Sequence, residues 1–278
     1  MGLFTRLFDD AALFPPAGMS LEDALPAYRA ATTATAEGPH VGRFLCPASR
    51  IAELRTHLIP EDLFDLGLIA DTGVEELPKA LDAVHAEPRV RLAAVEIALP
   101  EEADQARAAA VTIGRLTAEV PTFIEVRRAP GRRDILDRLA AARAHGVPLG
   151  AKLRTGGLAA DTFPAPSELA DFIVACVERD LPFKCTAGLH HAVRHTDAAT
   201  GLVHHGFLNV LAAVARAADG RAGAVLEILE STDAGRLAGL ARATTEVERV
   251  RRFLTSIGTC DIDAPRADLA DLGLVQPG

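Results

Sequence analysis

Apolar and polar positions change period repeatedly along this chain. Short runs dense in Val, Ile, Leu and Phe alternate with longer stretches whose apolar residues recur every three or four positions. The two periods read as strand and helix. Strands are predicted over Ala12–Ala17, His40–Pro47, Phe64–Gly73, Arg89–Pro100, Pro121–Arg128, Pro148–Gly157, Pro182–Gly188 and Phe253–Ile262. A helical stretch follows each. Ser20 is expected to cap the first helix and Ser49 the second. Glu101 and Glu102 fall in the first turn of the fourth helix, where the dipole favours acids, and Gly146 stops the fifth. The seventh unit is irregular. After its strand come a long His-rich connection, the helix "GFLNVLAAVARAA", and a further helical region near Ala222–Arg252 that contains no clear strand.

Repeated strand–helix alternation demands parallel pairing with helices outside. Eight such units predict a single (β/α)8 TIM barrel domain over residues 1–278, with a His-rich loop after strand seven and a helical insertion before strand eight. An open doubly wound sheet is the alternative, but no GxGxxG follows the first strand.

Composition narrows the setting. The chain is 49% hydrophobic, enough for a large core, and its net charge of −9 argues against nucleic acid or an anionic membrane as main partner. No charge-free apolar run is long enough to predict a membrane span. The opening "MGLFTRLFDDAALFPP" has early acids and no small-residue cleavage site, so no signal peptide is predicted, and Arg6 spoils a myristoylation pattern. The four cysteines, Cys46, Cys176, Cys185 and Cys260, show no CxxC spacing. A cytoplasmic protein with free thiols is expected, and Cys46, Cys185 and Cys260 read as core filler.

Active sites of this architecture form at the C-terminal ends of the strands. Glu125 and Arg127 stand there two residues apart, as do Lys152 and Arg154, so each pair shares a face. A charge on a strand buried on both faces needs a partner, and Glu125 can pair with Lys152 or Arg154 on the next strand. The 29 basic residues include only three lysines: Lys79, Lys152 and Lys184. Two of the three fall at equivalent places on adjacent predicted strands. Lysine, unlike arginine, can lose its proton when desolvated or crowded, and then acts as base or nucleophile. "RTGG" (Arg154, Thr155, Gly156, Gly157) has the glycines and guanidinium of an anion-binding turn.

The connection "GLHHAVRHTDAATGLVHHGFLN" carries His190, His191, His195, His204 and His205, with Asn209 at its end. His190 is a candidate proton carrier, and His191 and Asn209 are candidate substrate contacts. The alternative is a divalent metal such as zinc held by His190, His191, His204 and His205, although no metal-binding spacing occurs.

Lysine in "AKLRTGG" followed by lysine in "FKCTAG" resembles the class I aldolases of the deoxyribose-phosphate aldolase type. That resemblance implies a Schiff-base Lys152 and a second lysine, Lys184, lowering its neighbour's pKa. The chain departs from the family at Arg154 inside the first motif, at Ala187 in the second, and in lacking a Gly-Ser phosphate loop on the last strand. Its sole tyrosine is Tyr28, so the family's C-terminal tyrosine is absent. The chain also resembles uncharacterised bacterial barrel proteins that share "FKxTAGLHH", "HGFLN" and a late "GxC", which implies no activity.

The expectation is an enzyme acting on a small anionic carbonyl compound by lyase chemistry. Lys152 or Lys184 would be the nucleophile, Glu125 and His190 would move protons, Arg127 and Arg154 would hold the substrate's acidic group, and no cofactor would be needed. A metal-dependent hydrolase or isomerase, and a non-catalytic barrel that binds a metabolite or protein, are the alternatives. A homodimer is left open.

Overall fold

The computed structural model describes residues 2–32, 38–100, 104–116 and 119–276. Eight parallel strands close into a barrel: β1 (Phe8–Asp10), β2 (Val41–Pro47), β3 (Phe64–Ile69), β4 (Val90–Ala98), β5 (Thr122–Glu125), β6 (Leu149–Arg154), β7 (Phe183–Thr186) and β10 (Leu254–Thr259). β10 lies between β7 and β1 and completes the ring. A two-stranded antiparallel ribbon, β8 (His195–Thr196) and β9 (Val203–His204), interrupts the last unit.

The helices follow the predicted order: α1 (Leu21–Ala31), α2 (Ile51–His57), α3 (Leu77–His85), α4 (Gln105–Ile113), α5 (Arg132–Ala144), α6 (Pro166–Glu178) and α7 (Phe207–Ala218). α8 (Val225–Glu230), α9 (Ala234–Arg242) and α10 (Val247–Phe253) form the predicted insertion, and α11 (Asp263–Asp271) closes the chain. Ser20 caps α1 as expected, its Oγ accepting from the Asp23 N–H at 3.1 Å. α4 begins at Gln105 with Asp104 as its cap, while Glu101 and Glu102 lie outside the described residues.

Two local expectations are corrected. The first strand is Phe8–Asp10, and Ala12–Ala17 is a turn. Pro15 and Pro16 have no N–H to give a ladder, whereas Asp9, which breaks the apolar run in sequence, is compensated inside the barrel. Ser49 does not cap α2 either. It sits in a short 3-10 turn, and its backbone N–H and Oγ both donate to Asp71, at 3.0 and 2.5 Å, tying the loops after β2 and β3 together.

The His-rich connection is more ordered than its sequence suggests. Asp197 Oδ1 accepts from the Thr200 N–H and Oγ1 at 2.8 and 2.7 Å, and Gly201 has φ +70°, so "DAATG" makes a tight turn and the flanking residues pair as β8 and β9.

Inside the barrel, small residues let large ones cross the axis. Gly150 lies under Phe123: a Cβ there would meet the ring at 2.6 Å. At the N-terminal end Arg251, buried, donates to the carbonyls of Leu3, Thr5, Leu254 and Thr255 at 2.8–3.2 Å and clamps the start of the chain to β10. Burial pulls its pKa down to about 10. Tyr28, also buried, donates its OH to the Gly42 carbonyl at 2.7 Å.

Candidate active site: a ladder of buried charges

Strand register decides which inward side chains meet. Glu125 on β5 is level with Lys152 on β6, and Lys152 is level with Lys184 on β7. Residues level on adjacent parallel strands face the same side, so all three point into the barrel. Glu96 enters from β4 and Asp9 from β1. Lys184 Nζ donates to Asp9 Oδ2 at 2.6 Å and to Glu96 Oε1 at 2.5 Å. Lys152 Nζ takes the other Glu96 oxygen at 2.8 Å and reaches Glu125 Oε2 at 3.3 Å. Arg43 Nη1 and the Ser256 hydroxyl complete the shell of Asp9 at 3.1 and 2.6 Å.

Cations and carboxylates therefore alternate: Arg43, Asp9, Lys184, Glu96, Lys152, Glu125. The formal charge sums to zero, which is what makes so much buried charge tolerable. Exposure is lowest in the middle of the ladder and higher at both ends, Arg43 being 19% exposed at one of them. The Lys184 side chain is 0% exposed and Glu96 1%, while Lys152 is 9% and Glu125 11%. Lys152 and Glu125 thus keep slight solvent contact, whereas Lys184 is sealed in the interior.

The electrostatics correct one expectation. Burial alone raises the Glu96 carboxyl, but Lys152 and Lys184 outweigh it and hold its pKa down at about 2. Asp9 is likewise held below the ordinary range, burial being overcome by Lys184 and Arg43. For Lys152, burial disfavours the ammonium, yet Glu96 and Glu125 prevail and raise its pKa above the usual lysine value. The second lysine does not depress it, because Glu96 stands between the two ammonium groups and binds both.

The other predicted site residues lie around this ladder. Arg127 follows β5 and donates Nη2 to the Leu99 carbonyl at 3.2 Å. Arg154, last in β6, is exposed at the rim. Thr155 is buried and its Oγ1 donates toward the Thr186 and Ala187 carbonyls at 3.2 and 2.5 Å, pinning the turn after β6 to β7. Gly156 and Gly157 are there for close approach: a Cβ on Gly156 would meet Phe163 at 2.9 Å and Gly188 at 3.0 Å, and one on Gly157 would meet Thr162 at 2.6 Å. Asn209, a candidate substrate contact, holds backbone groups together in this structure. It is fully buried, with Oδ1 accepting from the Arg194 N–H at 2.9 Å and Nδ2 donating to the Ile228 and Ser231 carbonyls at 2.7 and 2.8 Å.

The four histidines of the metal alternative do not converge. His205 is buried and bonds the Pro164 carbonyl at 2.7 Å. His191 faces Asp268 at 3.2 Å. His204 stacks between Phe163 and His195, at 4.6 and 5.3 Å between centroids. His190 Nδ1 is 2.8 Å from Thr259 Oγ1. Among the described residues no group of three or more His, Cys, Asp or Glu is arranged to hold a metal ion, and no helix is long and apolar enough to cross a membrane.

Asp9, Arg43 and Ser256 escaped sequence reasoning. The available signal was "LFDDAALF", a pair of acids inside an apolar run. Such a pair has to be solvated or paired, and here Asp9 is paired.

The fold is a closed parallel (β/α)8 barrel, and its interior holds a ladder of alternating buried charges. The chain matches no family model, no curated protein and no solved structure.

Proposed function

We propose that this barrel is an enzyme acting on a small anionic, carbonyl-containing metabolite by aldolase-like lyase chemistry through Lys152. The observation that carries this reading is the difference in exposure between the two interior lysines. The Lys152 side chain is 9% exposed against 0% for Lys184, and Glu125 lies 3.3 Å away to act as proton acceptor. Lys184 is sealed between Asp9 and Glu96 and serves as a positioning residue through Glu96.

The resting Lys152 is an ammonium, so its proton must leave before the nitrogen attacks. Glu125 takes that proton. The neutral amine then adds to the carbonyl carbon, and loss of water gives the Schiff base, whose positive charge replaces the ammonium between Glu96 and Glu125. The ladder's charge balance is kept throughout, which limits the electrostatic cost of the step. On this reading Arg127 and Arg154, near the rim, hold the substrate's acidic group.

Borohydride reduction in the presence of pyruvate, glyoxylate or a small aldehyde tests this. Irreversible added mass is expected at Lys152 and not at Lys79 or Lys184, and Lys152→Arg should abolish it. A second reading is favoured by the raised Lys152 pKa: the ammonium stays protonated and polarises a substrate oxygen. Absence of any adduct with every carbonyl compound, together with retained turnover in Lys152→Arg, selects that reading and removes the covalent one.

A further inference from the structure

A second reactive group lies at the rim between β7 and β10, on residues separate from the ladder. Cys260 follows β10, and its Sγ is 3.8 Å from His190 Nε2, within hydrogen-bond range for sulfur. The imidazole is oriented from behind. Thr259 Oγ1 lies 2.8 Å from both the Asp261 carbonyl and His190 Nδ1. With the hydroxyl proton given to the carbonyl, Oγ1 accepts from Nδ1–H, and Nε2 then presents its lone pair to the thiol. A nucleophile, a base facing it and a third group fixing the base's tautomer are the parts of an activated nucleophile.

Two further observations point to a ligand. Burial pushes the Cys260 thiol above its ordinary pKa, and the Ala17 backbone N–H, directed at the sulfur, works against that by favouring the anion. Asp10, level with Thr259 across the β1–β10 pair, is buried, and among the described residues its Oδ2 has no hydrogen-bond partner. Burial, with Asp263 and Asp9 nearby, pushes its pKa up to about 6, so near neutral pH it can donate as well as accept. Asp10 Oδ1 accepts from the Ala12 N–H at 2.8 Å, which leaves Oδ2, on the residue level with Thr259, as a place for a polar substrate atom.

We propose that Cys260, activated by His190, is a nucleophile of this barrel that takes an electrophilic carbonyl carbon. The thiol proton passes to His190 Nε2 and the sulfur lone pair forms the S–C bond. The carbonyl π pair moves to oxygen, and the proton returns from Nε2 to that oxygen. The product is a thiohemiacetal, and no oxidant or co-reactant is consumed. A disulfide role is not served by the chain, because Cys46, Cys176 and Cys185 are each 0% exposed and Cys260 alone is partly exposed. Burial pushes the His190 pKa down; Asp261 opposes this, and His191, His204 and His195 add to it.

The test is alkylation of the full chain by iodoacetamide, followed at Cys260 by mass spectrometry across pH. In the wild-type protein the rate is expected to rise through the imidazole range and level off near neutral pH. His190→Asn should lower the neutral-pH rate about tenfold or more, and glycolaldehyde should protect Cys260 in the wild type. Labelling should be unaffected by Lys152→Arg, which separates this site from the lysine chemistry. A wild-type rate that climbs tenfold per pH unit beyond pH 9 with no neutral plateau overturns the proposal, and this readout needs no variant. An unchanged rate in folded His190→Asn, or no protection by glycolaldehyde, overturns it too.

Discussion

Lys184→Met is the sharpest probe of the ladder. The substitution keeps roughly the same volume but removes a cation that is 0% exposed and holds two carboxylates, at 2.6 and 2.5 Å. Neither carboxylate is left wholly alone. Asp9 keeps Arg43 at 3.1 Å and the Ser256 hydroxyl at 2.6 Å, and Glu96 keeps Lys152 at 2.8 Å. Breaking a buried pair from one side costs about 3–5 kcal/mol, and the surviving partners place this case near 3 kcal/mol. For a chain of this size that is a fall in Tm of about 6–12 °C. Thermal melts of wild type and variant by circular dichroism at pH 7 measure it. Removing Asp9's charge as well, in Lys184→Met/Asp9→Asn, should recover part of the loss, with a coupling of about 1–3 kcal/mol in the double-mutant cycle. If Lys184→Met melts within about 1 °C of wild type, or the two substitutions are additive, desolvation cancels attraction in this pair and the ladder gives no net stability.

Acid should weaken the fold in a defined window. Glu96 is depressed from 4.5 to about 2, so its stabilisation is full above its unfolded pKa and is lost as pH falls toward the folded one; Tm measured from pH 6 to pH 2 should drop most in that interval, and less in Glu96→Gln. Asp10 behaves oppositely, since its pKa is raised from 3.8 to about 6 and its contribution is greatest at low pH; Asp10→Asn should raise stability at pH 7.5 by about 1 kcal/mol and lose that advantage by pH 4, as chemical denaturation at the two pH values would reveal. Tyr28→Phe removes a buried donor to the Gly42 carbonyl and should cost about 1–2 kcal/mol in the same measurement. Gly150→Ala forces a Cβ to 2.6 Å from the Phe123 ring and should destabilise by about 1–3 kcal/mol, an effect that Phe123→Leu should partly relieve.

The eightfold alternation of period was legible along the chain because each unit's buried faces are set locally, by residues two apart in a strand or three and four apart in a helix. Closure, the helical insertion and the inward placement of Glu125, Lys152 and Lys184 followed from that pattern. What sequence could not supply was partnership across the barrel. Asp9 looked like a polar break in an apolar run, so the first strand was placed four residues late; only with β7 across the interior does Lys184 lie 2.6 Å from it. Lys152 and Lys184 invited the expectation of two cations repelling, yet Glu96, 56 and 88 residues away in sequence, is what holds both. Asn209 looked like a ligand contact because nothing near it in the chain announces the carbonyls of Ile228 and Ser231 that it binds. Periodicity is a property of neighbours along a chain, whereas the charge state of a buried group depends on whichever distant residues share its low-dielectric surroundings, and tertiary structure alone decides those.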